Sequence, residues 1–163
     1  MRLFLIRHGK AEDASLWPAD AARPLAAEGR KQAERLAARL VELGLACDAL
    51  LTSPIRRARE TAMLLFQGGA GPEPEGWDAL ATGPEVAAIL PTLVALRERG
   101  TVRAGLVGHM PTLADWAEEL VWGQPRGRLV LKPAGVIGLE LPDSGSPVGR
   151  SDLFWLTSPR LLP

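Results

Sequence analysis

The chain is poor in the residues that staple small proteins together: its 163 residues include one cysteine, Cys47, and two histidines, His8 and His109. A lone cysteine excludes an intrachain disulfide. With no metal-ligand spacing around it, Cys47 reads as a small buried hydrophobe in a chain expected in a reducing cytosol. Excess charge is missing too, since 19 Lys and Arg balance 19 Asp and Glu. No global field therefore draws the protein to nucleic acid or to an anionic membrane, and any anion site has to be local. Long apolar runs are also absent. The first, residues 3–6, is far too short for a signal-peptide core and is stopped by Arg7, and no later run is long enough to span a bilayer. These absences predict a soluble, cytoplasmic protein with neither nucleic acid nor membrane as partner. No repeat or domain linker interrupts the chain, and its length suits a single domain over residues 1–163 with a hydrophobic core of its own.

Four short segments rich in Leu, Val, Ile and Phe, at residues 3–7, 49–52, 104–107 and 136–141, predict buried strands, with a less regular fifth at 153–156. Helical patterns fall between them. Residues 28–43 carry an apolar stripe of Ala33, Leu36, Ala37, Leu40 and Val41, with Gly44 as a stop. A second helix is expected from "SPIRRARETAMLLF", with Ser53 as N-cap and Pro54 at the first helical position. A third spans 84–99 and a fourth 111–121, while residues 68–76 and 142–151 read as loops. Strands alternating with helices predict an α/β fold, a three-layer α/β/α arrangement around a mostly parallel central sheet.

In such a sheet ligands bind beyond the carboxyl ends of the strands. His8 and Gly9 follow the first predicted strand, Ser53 and the Arg56/Arg57 pair follow the second, and His109 in "GHMP" follows the third. One histidine after a strand is most often a loop or core residue satisfied by a backbone partner. Two, both at strand ends and with none elsewhere, point to a shared rim. Arg7 beside His8, and an arginine near a helix N-terminus, make that rim electropositive, so its expected guest is an oxyanion such as a phosphoryl group.

Three blocks, "RHG" at 7–9, "SPIRRARETA" at 53–62 and "VGHMP" at 107–111, resemble in order and spacing the histidine phosphatase superfamily, also called phosphoglycerate mutase-like. "RPLAAEGRKQA" at 23–33, "LKPAGVIGLEL" at 131–141 and the tail "FWLTSP" at 154–159 resemble its SixA branch, the phosphohistidine phosphatases. The resemblance implies that His8 is a nucleophile that takes up the phosphoryl group, with Arg7, Arg57 and His109 completing the pocket. It also selects Arg57 over Arg56, which with Arg59 reads as solvated helix surface. No metal or cofactor is implied. The implied partner is a phosphorylated protein, either a histidine-containing phosphotransfer domain or a phosphocarrier. The physical chemistry is consistent: attack needs neutral imidazole, and nearby guanidinium groups disfavour its protonation.

Gly9 has either a backbone role beside the phosphate or a plain strand-ending one. Ser53 is either a phosphate donor or a helix cap. Glu12, Asp13 and Asp78 are the candidate acids for protonating a leaving group, each matched by a reading as a solvated loop carboxylate. A phosphorylated imidazole leaves more readily than an alkoxide, so the lack of an obvious acid favours phosphohistidine. Met110 stands where many relatives carry Asn, and Ala26 where Ser or Thr would cap a helix. Lys132 reads as a strand-edge residue, and Trp17 and Trp77 as packing residues or pocket walls. With no insertion to roof it, the site is expected to be shallow and open to a large substrate. Two alternatives remain: a small-molecule phosphomonoesterase of the same superfamily, and a phosphate-binding signalling module that does no chemistry.

Overall fold

The computed structural model describes residues 1–158, so Pro159 of the "FWLTSP" tail lies outside the described residues. Six strands form one sheet: β1 (Arg2–Arg7), β2 (Ala49–Thr52), β3 (Glu75–Gly76), β4 (Arg103–Gly108), β5 (Val136–Glu140) and β6 (Asp152–Thr157). Their spatial order is β3-β2-β4-β1-β5-β6. The first three neighbouring pairs along that order are parallel, and β5 and β6 close the sheet with antiparallel pairings. The sheet is thus mostly parallel, as expected. β1 lies inside it with β4 on one side and β5 on the other.

Alternation along β1 sorts the core into two layers, because successive side chains in a strand face opposite sides. Phe4 and Ile6 pack with Leu36, Ala37 and Leu40 of α1 (Ala27–Glu42) and Ala58, Ala62 and Leu65 of α2 (Arg56–Gln67). Leu3 and Leu5 face Leu80 of α3 (Ala79–Thr82), Ile89 and Leu93 of α4 (Val86–Glu98), and Leu113, Trp116 and Leu120 of α5 (Thr112–Trp122). Both faces of β1 are therefore dry, which leaves only its ends for polar chemistry.

Helix α2 departs from expectation. Ser53 is not its cap and Pro54 is not its first residue. One hydrogen bond continues past the end of β2, from the Ser53 N–H to the Val107 carbonyl at 2.9 Å, and ties Ser53 to the sheet end. The chain then bends, Ile55 is extended (φ −66, ψ 132), and the helix begins at Arg56 without a side-chain cap. The Ser53 hydroxyl accepts from the Ile55 N–H at 3.2 Å instead. Helix α1 likewise follows Ala26 with no capping side chain, and Gly44 stands just past its end with φ +66. The expected loop at 68–76 ends in the two-residue strand β3, and α3 follows with no counterpart in the sequence pattern. Among the described residues no helix is long and apolar enough to cross a membrane.

Candidate active site

The carboxyl ends of β1, β2 and β4 deliver His8, Ser53 and His109 to one rim. The two imidazole centroids lie 5.1 Å apart. Arg57, the second residue of α2 and only 7 % exposed, donates from Nε to His8 Nε2 at 3.2 Å. His8, Ser53, Arg57 and His109 are thus brought to one rim, and Arg56 is not with them: its exposed guanidinium pairs with Glu60 at 2.8 Å and lies over the Trp17 ring.

His8 is held in one tautomer. Its Nδ1 sits 2.7 Å from the Gly9 carbonyl, which can only accept, so the ring proton is on Nδ1 and the Nε2 lone pair faces Arg57. Burial, joined by the charges of His109, Arg57 and Arg7, outweighs the pull of the Gly9 carbonyl and pushes the His8 pKa down to about 3. His109 is pushed down to about 4, first by burial and then by Arg57, with Asp20 opposing and Arg7 adding to the shift. Both rings are neutral at physiological pH. His109 Nε2 lies 2.9 Å from the Ser53 hydroxyl, while its Nδ1 is buried without a partner among the described residues. Ser53 itself is fully buried, so its hydroxyl serves the rim and not a helix end.

Asp20, Thr61 and Gly29 are site-shaping residues that the sequence reading missed. The loop between β1 and α1 folds back on itself, with Ala26 N–H donating to the Lys10 carbonyl at 2.9 Å and Glu12 N–H to the Pro24 carbonyl at 3.0 Å. This brings Asp20 to Arg57, whose Nη1 meets the Asp20 carbonyl and Nη2 the Asp20 carboxylate, each at 2.8 Å. The Arg57 hydrogen bond keeps the Asp20 carboxyl below its ordinary range, so it is ionised. Thr61 accepts the Gly9 N–H at 3.1 Å and donates to the Arg57 carbonyl at 2.8 Å, tying the loop after His8 to α2. Gly9 has a third role beyond the two considered from sequence: a Cβ there would stand 2.5 Å from the Gly29 carbonyl oxygen, so it is the close approach of two backbones that demands glycine.

Glu12 is held through its backbone, not through its carboxylate: its carbonyl accepts from Arg23 Nη1 at 3.4 Å. The Asp13 carboxylate caps the following turn through the Ser15 N–H at 2.9 Å. Asp78 is exposed at the start of α3 and its side chain caps nothing. Trp77 packs against the core, 6.2 Å from the Trp116 ring. Lys132 is exposed in the turn before β5, not on a strand edge. That turn matters through its backbone: the Leu131 carbonyl accepts from Arg7 Nη1 at 2.7 Å, and Ala134 N–H donates to the His8 carbonyl at 3.0 Å. Among the described residues no group of three or more His, Cys, Asp or Glu side chains is placed to hold a metal ion.

The sheet order, the helices on both faces and the rim at the strand ends define a protein of the phosphoglycerate mutase-like fold. A crystal structure of the protein histidine phosphatase SixA complexed with tungstate superposes with a TM-score of 0.86 at 25% identity, covering 100% of both chains. The alpha-ribazole phosphatase from Shigella flexneri shares the fold with a TM-score of 0.70 at 19% identity, over 98% of this chain and 97% of that one. An uncharacterised protein of Picosynechococcus sp. is 39% identical over 168 residues, 100% of each chain. Residues 3–81 match the family described as histidine phosphatase superfamily (branch 1), a span that holds Arg7, His8, Ser53 and Arg57. The chain belongs to the histidine phosphatase superfamily.

Proposed function

We propose that this chain is a phosphohistidine phosphatase, one catalytic domain over residues 1–163 that removes a phosphoryl group from histidine on another protein in the cytoplasm. One observation carries the reading: His8 presents an unprotonated Nε2 against Arg57 at 3.2 Å, with its Nδ1 proton committed to the Gly9 carbonyl. In the first step the Nε2 lone pair attacks phosphorus, a new P–N bond forms, and the P–N bond to the substrate imidazole breaks. In the second step water attacks phospho-His8 and releases orthophosphate. The departing imidazole takes a proton from solvent in the first step, and in the second one proton of the attacking water returns to solvent while the other stays on phosphate. Arg7 and Arg57 neutralise the equatorial oxygens, and His109 and Ser53 supply further hydrogen bonds, so the charge stabilisation needs no metal. Gly9 keeps the nucleophile loop close to α1.

The choice of phosphohistidine is supported by two features. No neutral carboxylic acid stands at the rim, because Asp20 is ionised against Arg57, which suits a leaving group that needs little help. The likeness to the tungstate-bound SixA structure also runs the full length of both chains. A small-molecule phosphomonoesterase is the second reading, favoured by the fold shared with the alpha-ribazole phosphatase.

The test compares turnover of a phosphorylated phosphotransfer domain and a phosphocarrier with a panel of sugar and glycerate phosphates, with and without EDTA. Chelator-insensitive release from the phosphoproteins is expected. Rapid quench with a labelled donor should trap acid-labile phosphate on wild type and none on His8→Ala. Strong metabolite turnover without phosphohistidine activity, or labelling that survives His8→Ala, overturns the proposal.

A further inference from the structure

Glu118 has no part in the chemistry above, yet it is a fully buried carboxylate in α5. Among the described residues no cation pairs with it. Four consecutive backbone N–H groups do: Oε2 accepts from Arg126 and, at 2.6 Å, from Gly127, while Oε1 accepts from Arg128 at 2.5 Å and from Leu129 at 2.6 Å. A carboxylate is the one side chain with two oxygens and enough lone pairs to receive four such donors. Burial alone would raise its pKa, and the four donors outweigh that and hold it lowered. The loop after α5 is therefore wrapped around a single ionised group.

The wrapped segment runs straight to the rim. Two residues past the last donor, the Leu131 carbonyl accepts from Arg7 Nη1 at 2.7 Å. Arg7 Nε is buried with no partner among the described residues, so the aim of this guanidinium depends on that carbonyl. The same turn fixes the backbone on either side of the nucleophile: Arg7 N–H donates to the Gly135 carbonyl at 3.1 Å and Ala134 N–H to the His8 carbonyl at 3.0 Å. Ala134 adopts φ +53 to make this turn, a conformation that a non-glycine residue keeps only when its surroundings impose it.

We infer that Glu118 is a positioning residue for the phosphoryl pocket: it shapes residues 126–131 so that the Leu131 carbonyl aims Arg7 at the oxyanion. The inference rests on the phosphatase reading, in which Arg7 meets the phosphoryl oxygens. A carboxamide at 118 would keep the shape but turn two N–H donors toward backbone N–H groups, loosening the loop.

The experiment follows Glu118→Gln, Arg7→Ala and the double variant by kcat and KM on p-nitrophenyl phosphate, by vanadate affinity, and by amide hydrogen exchange. Faster exchange at 126–129 is expected in E118Q, with kcat/KM and vanadate affinity reduced about ten- to a hundredfold. In the Arg7→Ala background E118Q should cost almost nothing more, because its effect passes through Arg7. A role in stability alone would leave both readouts unchanged, or would add its full loss to that of Arg7→Ala, and either result overturns the inference. Should E118Q fail to fold, Gly127→Pro serves: Gly127 has φ +63 and gives its N–H to Glu118, and proline permits neither. An unaltered kcat/KM in that variant is equally fatal. A wild type that neither binds vanadate nor labels at His8 sinks the phosphatase reading and this inference together. A labelled, active wild type beside an equally active E118Q sinks this inference alone.

Discussion

His8 ends a strand that is buried on both faces, and its ring is neutral because burial and neighbouring positive charge oppose protonation. Its pKa of about 3 leaves Nε2 unprotonated across the physiological range. Accordingly kcat/KM should show no acid limb near the ordinary histidine pKa of about 6.5, and should stay flat from about pH 5 to 8 in a pH–rate profile. The same shift has a cost in stability. The unfolded chain binds a proton at His8 below about pH 6.5 while the folded chain does not until about pH 3, so stability is complete above the first value and is lost as pH falls toward the second. Between pH 7 and pH 5 this amounts to about 2 kcal/mol for His8. Urea titrations in phosphate-free buffer should show it, and His8→Asn should reduce the slope. Arg57 holds His8, the Asp20 carbonyl and the Asp20 carboxylate at once with its planar fork. Lysine cannot make all three, so Arg57→Lys should lower kcat/KM by about a hundredfold with folding intact. His8 and His109 were legible because a scarce residue type fell at strand ends, and Arg7 because it stands next to His8. Asp20, Thr61 and Glu118 were not, since an acid or a hydroxyl in a loop or on a helix looks the same in sequence whether it holds a guanidinium, a backbone N–H or only water.

At the scale of elements, the close crossing of the loop after β1 over α1 is the tightest fit. Gly29, the third residue of α1, would place a Cβ 2.0 Å from the Lys10 carbonyl oxygen. Glycine to alanine inside a helix normally stabilises by about 1 kcal/mol. Here the sign should reverse, and Gly29→Ala is expected to lower the unfolding free energy by about 1–3 kcal/mol in urea titration, because backbone would have to move. The strands and four main helices were legible from periodicity, with ends displaced by a residue or two. The start of α2 was not: Ser-Pro has the local chemistry of a helix start, and the hydrogen bond from Ser53 to Val107, more than fifty residues away in the chain, ties it to the sheet end. Strand β3 has two residues and α3 has four, too few for either to show a period.

Over the whole molecule, the rim exists only in the folded state, since Arg7, Arg57 and His109 come from widely separated parts of the chain. An oxyanion that bridges them binds the native protein alone. Vanadate or tungstate at about a hundred times its dissociation constant should stabilise by about 2.7 kcal/mol and raise Tm by about 5–10 °C, a shift abolished in Arg57→Ala. Scanning calorimetry across an oxyanion titration measures it. The central place of β1 also bears on how the rim comes into being. Arg2 pairs with Arg103 on one side and with Glu140 on the other. During synthesis β1 therefore waits for two strands that are both encoded well after it. Until they emerge its two edges stay bare, and the rim that His8 shares with His109 cannot assemble.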